Sequence, residues 1–121
     1  MDENVFKEIL YDGTLLVKKI VSKEITFVDF IEQYNNFYYY NALDGHEADD
    51  ITKSLLVKFS GVISLHKEIQ TTVADVLYLG NQVNSSKLQN SGRIDVDQAM
   101  QRIATISKSY NIDSLINEVK P

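Results

Sequence analysis

The chain has 121 residues, of which 44% are hydrophobic and 24% charged, with one proline, five glycines and no cysteine; this is the composition of one globular domain with a core of useful size. Without cysteine there is no disulfide, zinc–thiolate site, iron–sulfur cluster or thiol nucleophile, and no apolar run approaches the ~20 residues that span a bilayer. The net charge of −5 argues against a nucleic-acid surface, which needs a basic face, and the acidic start Met1-Asp2-Glu3-Asn4 lacks the features of a signal peptide, so a cytoplasmic protein with neither nucleic acid nor membrane as partner is expected.

Residues 3–22 place Val5, Phe6, Ile9, Leu10, Leu16, Val17, Ile20 and Val21 at helical spacing. Asp12-Gly13 interrupts the pattern and predicts a kink or two short helices. Thr26 is a good N-cap for a second helix to about residue 41, with Asp29 at its positive dipole end. On a wheel of ~100° per residue, Phe27, Ile31, Tyr34 and Tyr38 form its apolar stripe, widened by Phe30 and Phe37. Tyr39 and Tyr40 fall on the opposite half, near Asp29, Glu32 and Asn36.

Residues 41–50 (NALDGHEADD) read as a connection, with Asp44-Gly45 as its turn. A third helix follows on Ile51, Leu55, Leu56, Phe59, Val62 and Ile63. Gly61 and Ser64 predict a break before a fourth stretch carrying Leu65, Ile69, Val73, Val76, Leu77 and Leu79. Residues 80–93 are polar and rich in turn formers, as in a functional or surface loop. Asp95 and Gln98 have capping-box spacing and start a helix to about Ser107. A short amphipathic piece, Ile112–Val119, closes the chain. Long helical segments with short links predict an all-α, up-and-down antiparallel bundle of four or five helices.

Charge is distributed unevenly. Residues 1–50 carry eleven acidic and four basic side chains, whereas residues 51–121 carry six and eight. Residues 24–50 hold seven carboxylates and no lysine or arginine. Carboxylates attract and orient a cationic partner, and tyrosines give large contact area at low entropic cost. The candidate contact residues are therefore Asp29, Glu32, Tyr39, Tyr40, Asp44, Glu47, Asp49 and Asp50. The plainer alternative is a solvated helix face with both tyrosines folded back on a neighbour. Reversing Glu32 and Asp49 to lysine is expected to weaken binding and leave the fold intact.

His46, Glu47, Asp49 and Asp50 also form a possible metal cluster, completed only if His66 folds back onto it. No nucleophile elbow, phosphate-binding loop or dinucleotide fingerprint is present. Neither enzyme activity nor a cofactor is expected.

Residues 21–50 resemble small bacterial proteins related to the colicin D immunity protein. The likeness lies in the turn Ser22-Lys23-Glu24-Ile25-Thr26 and the aromatic-rich helix from Phe27 to Tyr40 after a short first helix. It covers about a third of the chain, and the tail from Gly80 has no counterpart. The run YNNFY followed by ALDGHE also resembles that of small bacterial proteins whose function is not known. The resemblance to the immunity proteins implies a cytoplasmic helical toxin inhibitor, as in colicin-like or contact-dependent growth-inhibition systems. Its partner would be the basic nuclease domain of a toxin, one that cuts tRNA, and such domains grip RNA phosphates with lysine and arginine. The alternative function is a helical adaptor or regulatory subunit whose partner is no toxin.

Overall fold

Each amphipathic stripe needs an apolar surface to cover it, and in this chain the first helix supplies most of that surface. The protein is seen in a computed structural model that describes residues 2–41, 43–45, 48–77 and 93–121. Its helices are α1 (Glu3–Val21), α2 (Phe27–Tyr40), α3 (Asp50–Lys58), α4 (Ser60–Thr72), α5 (Val96–Ser109) and α6 (Ile112–Val119), with a 3-10 turn at Ala74–Val76. The expected all-α bundle is observed, with six α-helices among the described residues. Among the described residues the only strand-like feature is an isolated parallel bridge, Leu77 to Ile94.

Helix α1 packs against α2, α4, α5 and α6. Its Phe6, Leu10, Val17 and Ile20 are fully or almost fully buried, each burial stabilising the fold by about 1.5–3 kcal/mol. Of the two expectations at Asp12-Gly13, two short helices are not seen, and α1 is one continuous helix across it. A Cβ on Gly13 would overlap the end of the Phe37 ring. The glycine is therefore a place of close approach between α1 and α2, and it costs helix propensity rather than helix continuity.

The helix ends explain the remaining boundaries. Glu24 N–H donates to Lys19 C=O at 2.8 Å and Lys23 N–H to Ile20 C=O at 3.1 Å. With Lys23 in the left-handed region at φ 62°, this is a Schellman closure of α1. Thr26 caps α2 as predicted, its Oγ1 accepting from Asp29 N–H at 3.2 Å. The break between the third and fourth helices falls at Phe59, before the predicted Gly61. Phe59 leaves helical geometry while its ring stays in the core, 6.0 Å from that of Phe6. Ile51, expected on the buried stripe, is instead 62% exposed.

Helix α5 starts with the predicted capping box. Asp95 Oδ1 accepts from Gln98 N–H at 2.8 Å, and Gln98 Oε1 accepts from Asp95 N–H at 3.1 Å. Replacing Asp95 by alanine is expected to cost about 1 kcal/mol. Urea unfolding checks this, and an unchanged midpoint would mean that the box contributes nothing. The loop expected at 80–93 lies outside the described residues except for Arg93, whose Nη1 donates to Asp75 C=O at 3.4 Å. Val76 and Ile94, on either side of that stretch, are joined, since Ile94 N–H donates to Val76 C=O at 2.9 Å.

Candidate functional site

Helix α2 presents two different sides. Phe30, Ile31, Tyr34 and Tyr38 are buried, and Phe27 and Phe37 are half-buried against the same core. The Phe30 and Tyr34 rings stack with centroids 5.1 Å apart. Asp29, Glu32, Tyr39 and Tyr40 are exposed, Tyr40 by 90% and Tyr39 by 54%. Val28, 61% exposed, adds an apolar side chain one turn before Glu32.

The two neighbouring tyrosines diverge, because consecutive residues on a helix point ~100° apart. Tyr39 turns toward the segment after α4, where its hydroxyl donates to Asp75 Oδ1 at 2.8 Å. Gln70 Nε2 donates to the same oxygen at 2.9 Å and to Asn35 Oδ1 at 3.1 Å. This hydrogen bond to the carboxylate holds the Tyr39 phenol above its usual pKa. Tyr40 turns the other way and lines a cleft of about 440 Å³ with Leu16, Gln33, Asn36, Phe37 and Asn41. A smaller space of about 240 Å³ shares Leu16, Gln33 and Phe37 and continues toward Asp12 and Lys19.

The candidate carboxylates separate by role. Asp29, Glu32 and Asp50 are exposed, and the ion pairs between described residues, Lys18–Asp113 and Lys58–Glu3, use none of them. Asp44 is exposed in the turn before Gly45, whose φ of 84° fits the predicted turn. Asp49 is the N-cap of α3, and its Oδ1 accepts from Thr52 N–H at 2.7 Å. That bond lowers its pKa. Lysine at Asp49 would thus remove a helix cap, contrary to the expectation of an intact fold, and Glu32 is the cleaner probe of binding. Glu47 and His46 lie outside the described residues.

His66, the distant member of the possible metal cluster, is fully buried. Tyr34 Oη lies 2.7 Å from its Nδ1 and Thr14 Oγ1 lies 2.9 Å from its Nε2. The tautomer follows from counting protons. Thr14 uses its single hydroxyl hydrogen on Leu10 C=O at 2.7 Å, so toward His66 it can only accept. Nε2 therefore carries the hydrogen, and Nδ1 accepts from the Tyr34 hydroxyl. Burial holds the His66 pKa down to about 3. Binding a metal here would mean opening one of two buried hydrogen bonds, at about 1–3 kcal/mol for the group left unpaired. Among the described residues no three histidines, aspartates or glutamates converge as metal ligands.

This Thr14–His66–Tyr34 network was missed in the sequence, although a signal existed. Thr14, Tyr34 and His66 each bring a polar group to the apolar stripe of a different helix, and a buried tyrosine usually finds a partner for its hydroxyl. Among the described residues, no helix is long and apolar enough to cross a membrane. Comparison with protein-family models, with curated proteins and with solved structures finds no match for the chain.

Proposed function

We propose that the protein is a non-enzymatic immunity protein that binds the basic nuclease domain of a toxin, one that cuts tRNA, and occludes its active site in the cytoplasm. The observation that carries this proposal is the exposed side of α2. Asp29 and Glu32 stand there outside the ion pairs of the described chain, on the helix whose last turn exposes Tyr40. A nuclease cleft holds lysines and arginines for RNA phosphates, so a surface of carboxylates competes for the same charges. Long-range attraction between the two speeds the encounter, and an aromatic anchor slows dissociation. Asp29, Glu32 and Tyr40 form the centre of the proposed contact. Asp44, whose charge acts on Tyr38 and Tyr39, and the outer edge of Tyr39 extend the proposed contact. Asp50 is a further exposed carboxylate offered to the partner, and Asp49 contributes through the position of α3.

The test takes the toxin C-terminal domain that the proposal expects an adjacent gene to encode, purified, with tRNA cleavage as the readout. Stoichiometric protein is expected to stop cleavage. Glu32→Lys is expected to slow association by roughly tenfold at low salt, with a smaller effect at high salt as screening grows. Cleavage that continues undiminished with saturating wild-type protein rejects the proposal.

A further inference from the structure

We infer that the cleft between α1 and α2 receives an arginine side chain of the protein partner, with its guanidinium laid against the Tyr40 ring. This rests on the docking role proposed above and specifies the chemistry at its centre. Tyr40 is 90% exposed and forms one wall of the cleft, which suits a planar cation seeking an aromatic surface. Leu16 and the half-buried Phe37 supply apolar surface for the arginine methylenes.

The electrostatics select a cation. The Tyr40 end of the cleft lies at the C-terminus of α2, the negative end of the helix dipole, and the last turn of α2 contains no basic residue. Asn41 caps this end, and its Nδ2 donates to Phe37 C=O at 2.7 Å. That bond uses one of the two Nδ2 hydrogens and leaves the other hydrogen and Oδ1, and Oδ1 is an acceptor for a guanidinium N–H. Gln33 and Asn36 line the same wall, and Asp29 lies one turn before Gln33 on that side of the helix. Among the described residues that line the two spaces the one cation is Lys19, which borders the adjoining space together with Asp12. Arginine fits better than lysine because its planar group stacks and donates in its own plane, whereas an ammonium is compact and strongly hydrated.

Titration of the ¹⁵N-labelled protein with N-acetyl hexa-arginine amide, and separately with the hexalysine peptide, tests the inference. The expected result is a set of shifts centred on Asn36, Tyr40 and the Asn41 side-chain amide, stronger for arginine than for lysine. Tyr40→Ala should weaken hexa-arginine binding by about fivefold and Tyr40→Phe should preserve it, since a cation–π contact needs the ring and not the hydroxyl. Equal responses to the two peptides, or wild-type affinity in Tyr40→Ala, overturn the inference. In the nuclease assay, loss of inhibition by Glu32→Lys with full inhibition by Tyr40→Ala overturns the cleft alone. Failure of the wild-type protein to inhibit overturns the immunity function, and the peptide titration then still decides the cleft.

Discussion

Acidification from pH 7 to pH 4 is expected to remove roughly 3 kcal/mol of folding free energy through His66 alone. Its pKa is about 3 in the folded protein and about 6.5 in an unfolded chain. Between those values the unfolded state binds the extra proton, so stability rises with pH across the window. The contribution is complete above about pH 6.5 and is lost as pH falls toward 3. Two structural features oppose protonation in the fold. The side chain is fully buried, and the Tyr34 hydroxyl already directs its hydrogen at Nδ1, the site that would have to accept the new proton. Urea unfolding from pH 7 to pH 4 should show the decline in the wild-type protein. His66→Gln should decline by roughly 3 kcal/mol less over the same interval, whatever its stability at pH 7. Parallel pH profiles for the two proteins would mean that His66 is not held neutral in the core.

A second large effect is expected at Gly13, with its sign set by a residue on another helix. In the middle of α1 an alanine would ordinarily gain about 1 kcal/mol over glycine. Here its Cβ would overlap the end of the Phe37 ring, and that ring also meets His66 edge-on, with centroids 4.9 Å apart. Displacing the ring disturbs both contacts, so Gly13→Ala should destabilise by about 1–3 kcal/mol, the usual range for overpacking. With Phe37→Ala as the background the obstacle is gone, and the same alanine should stabilise by up to about 1 kcal/mol. The double-mutant cycle therefore predicts a change of sign, which propensity alone cannot produce. If Gly13→Ala stabilises the protein with Phe37 in place, the close packing of α1 on α2 is not as described.

Much of the architecture could be read from local patterns. Thr26 and Asp95 marked helix starts because a side-chain oxygen before an amphipathic run satisfies free N–H groups whatever the surroundings. The buried stripe of α2 was legible for the same reason, since 3.6-residue periodicity shows which side will be covered. Errors arose where a local rule met a non-local partner. Asp12-Gly13 carries a breaker signal, but its glycine accommodates Phe37 from 24 residues further along. Ile51 matched a helical stripe, yet among the described residues no other element covers its side chain, which stays exposed. Asp49 reads in the sequence as a candidate contact residue because composition does not distinguish a cap from a contact residue.

For the candidate site, the sequence showed that residues 24–50 are one-signed and tyrosine-bearing, and periodicity placed Tyr39 and Tyr40 off the buried stripe. Which negative groups remain outside the protein's own ion pairs was decided by tertiary structure, as was the assignment of Tyr39 to Asp75 and Tyr40 to the cleft. The same holds for His66, whose chemistry in sequence is that of a possible ligand and whose neighbours make it a neutral core group. The physical reason is range. Caps and amphipathic periods act within a turn or two of the chain, whereas burial, hydrogen-bond partners and close approach depend on residues that only the packed helices bring together.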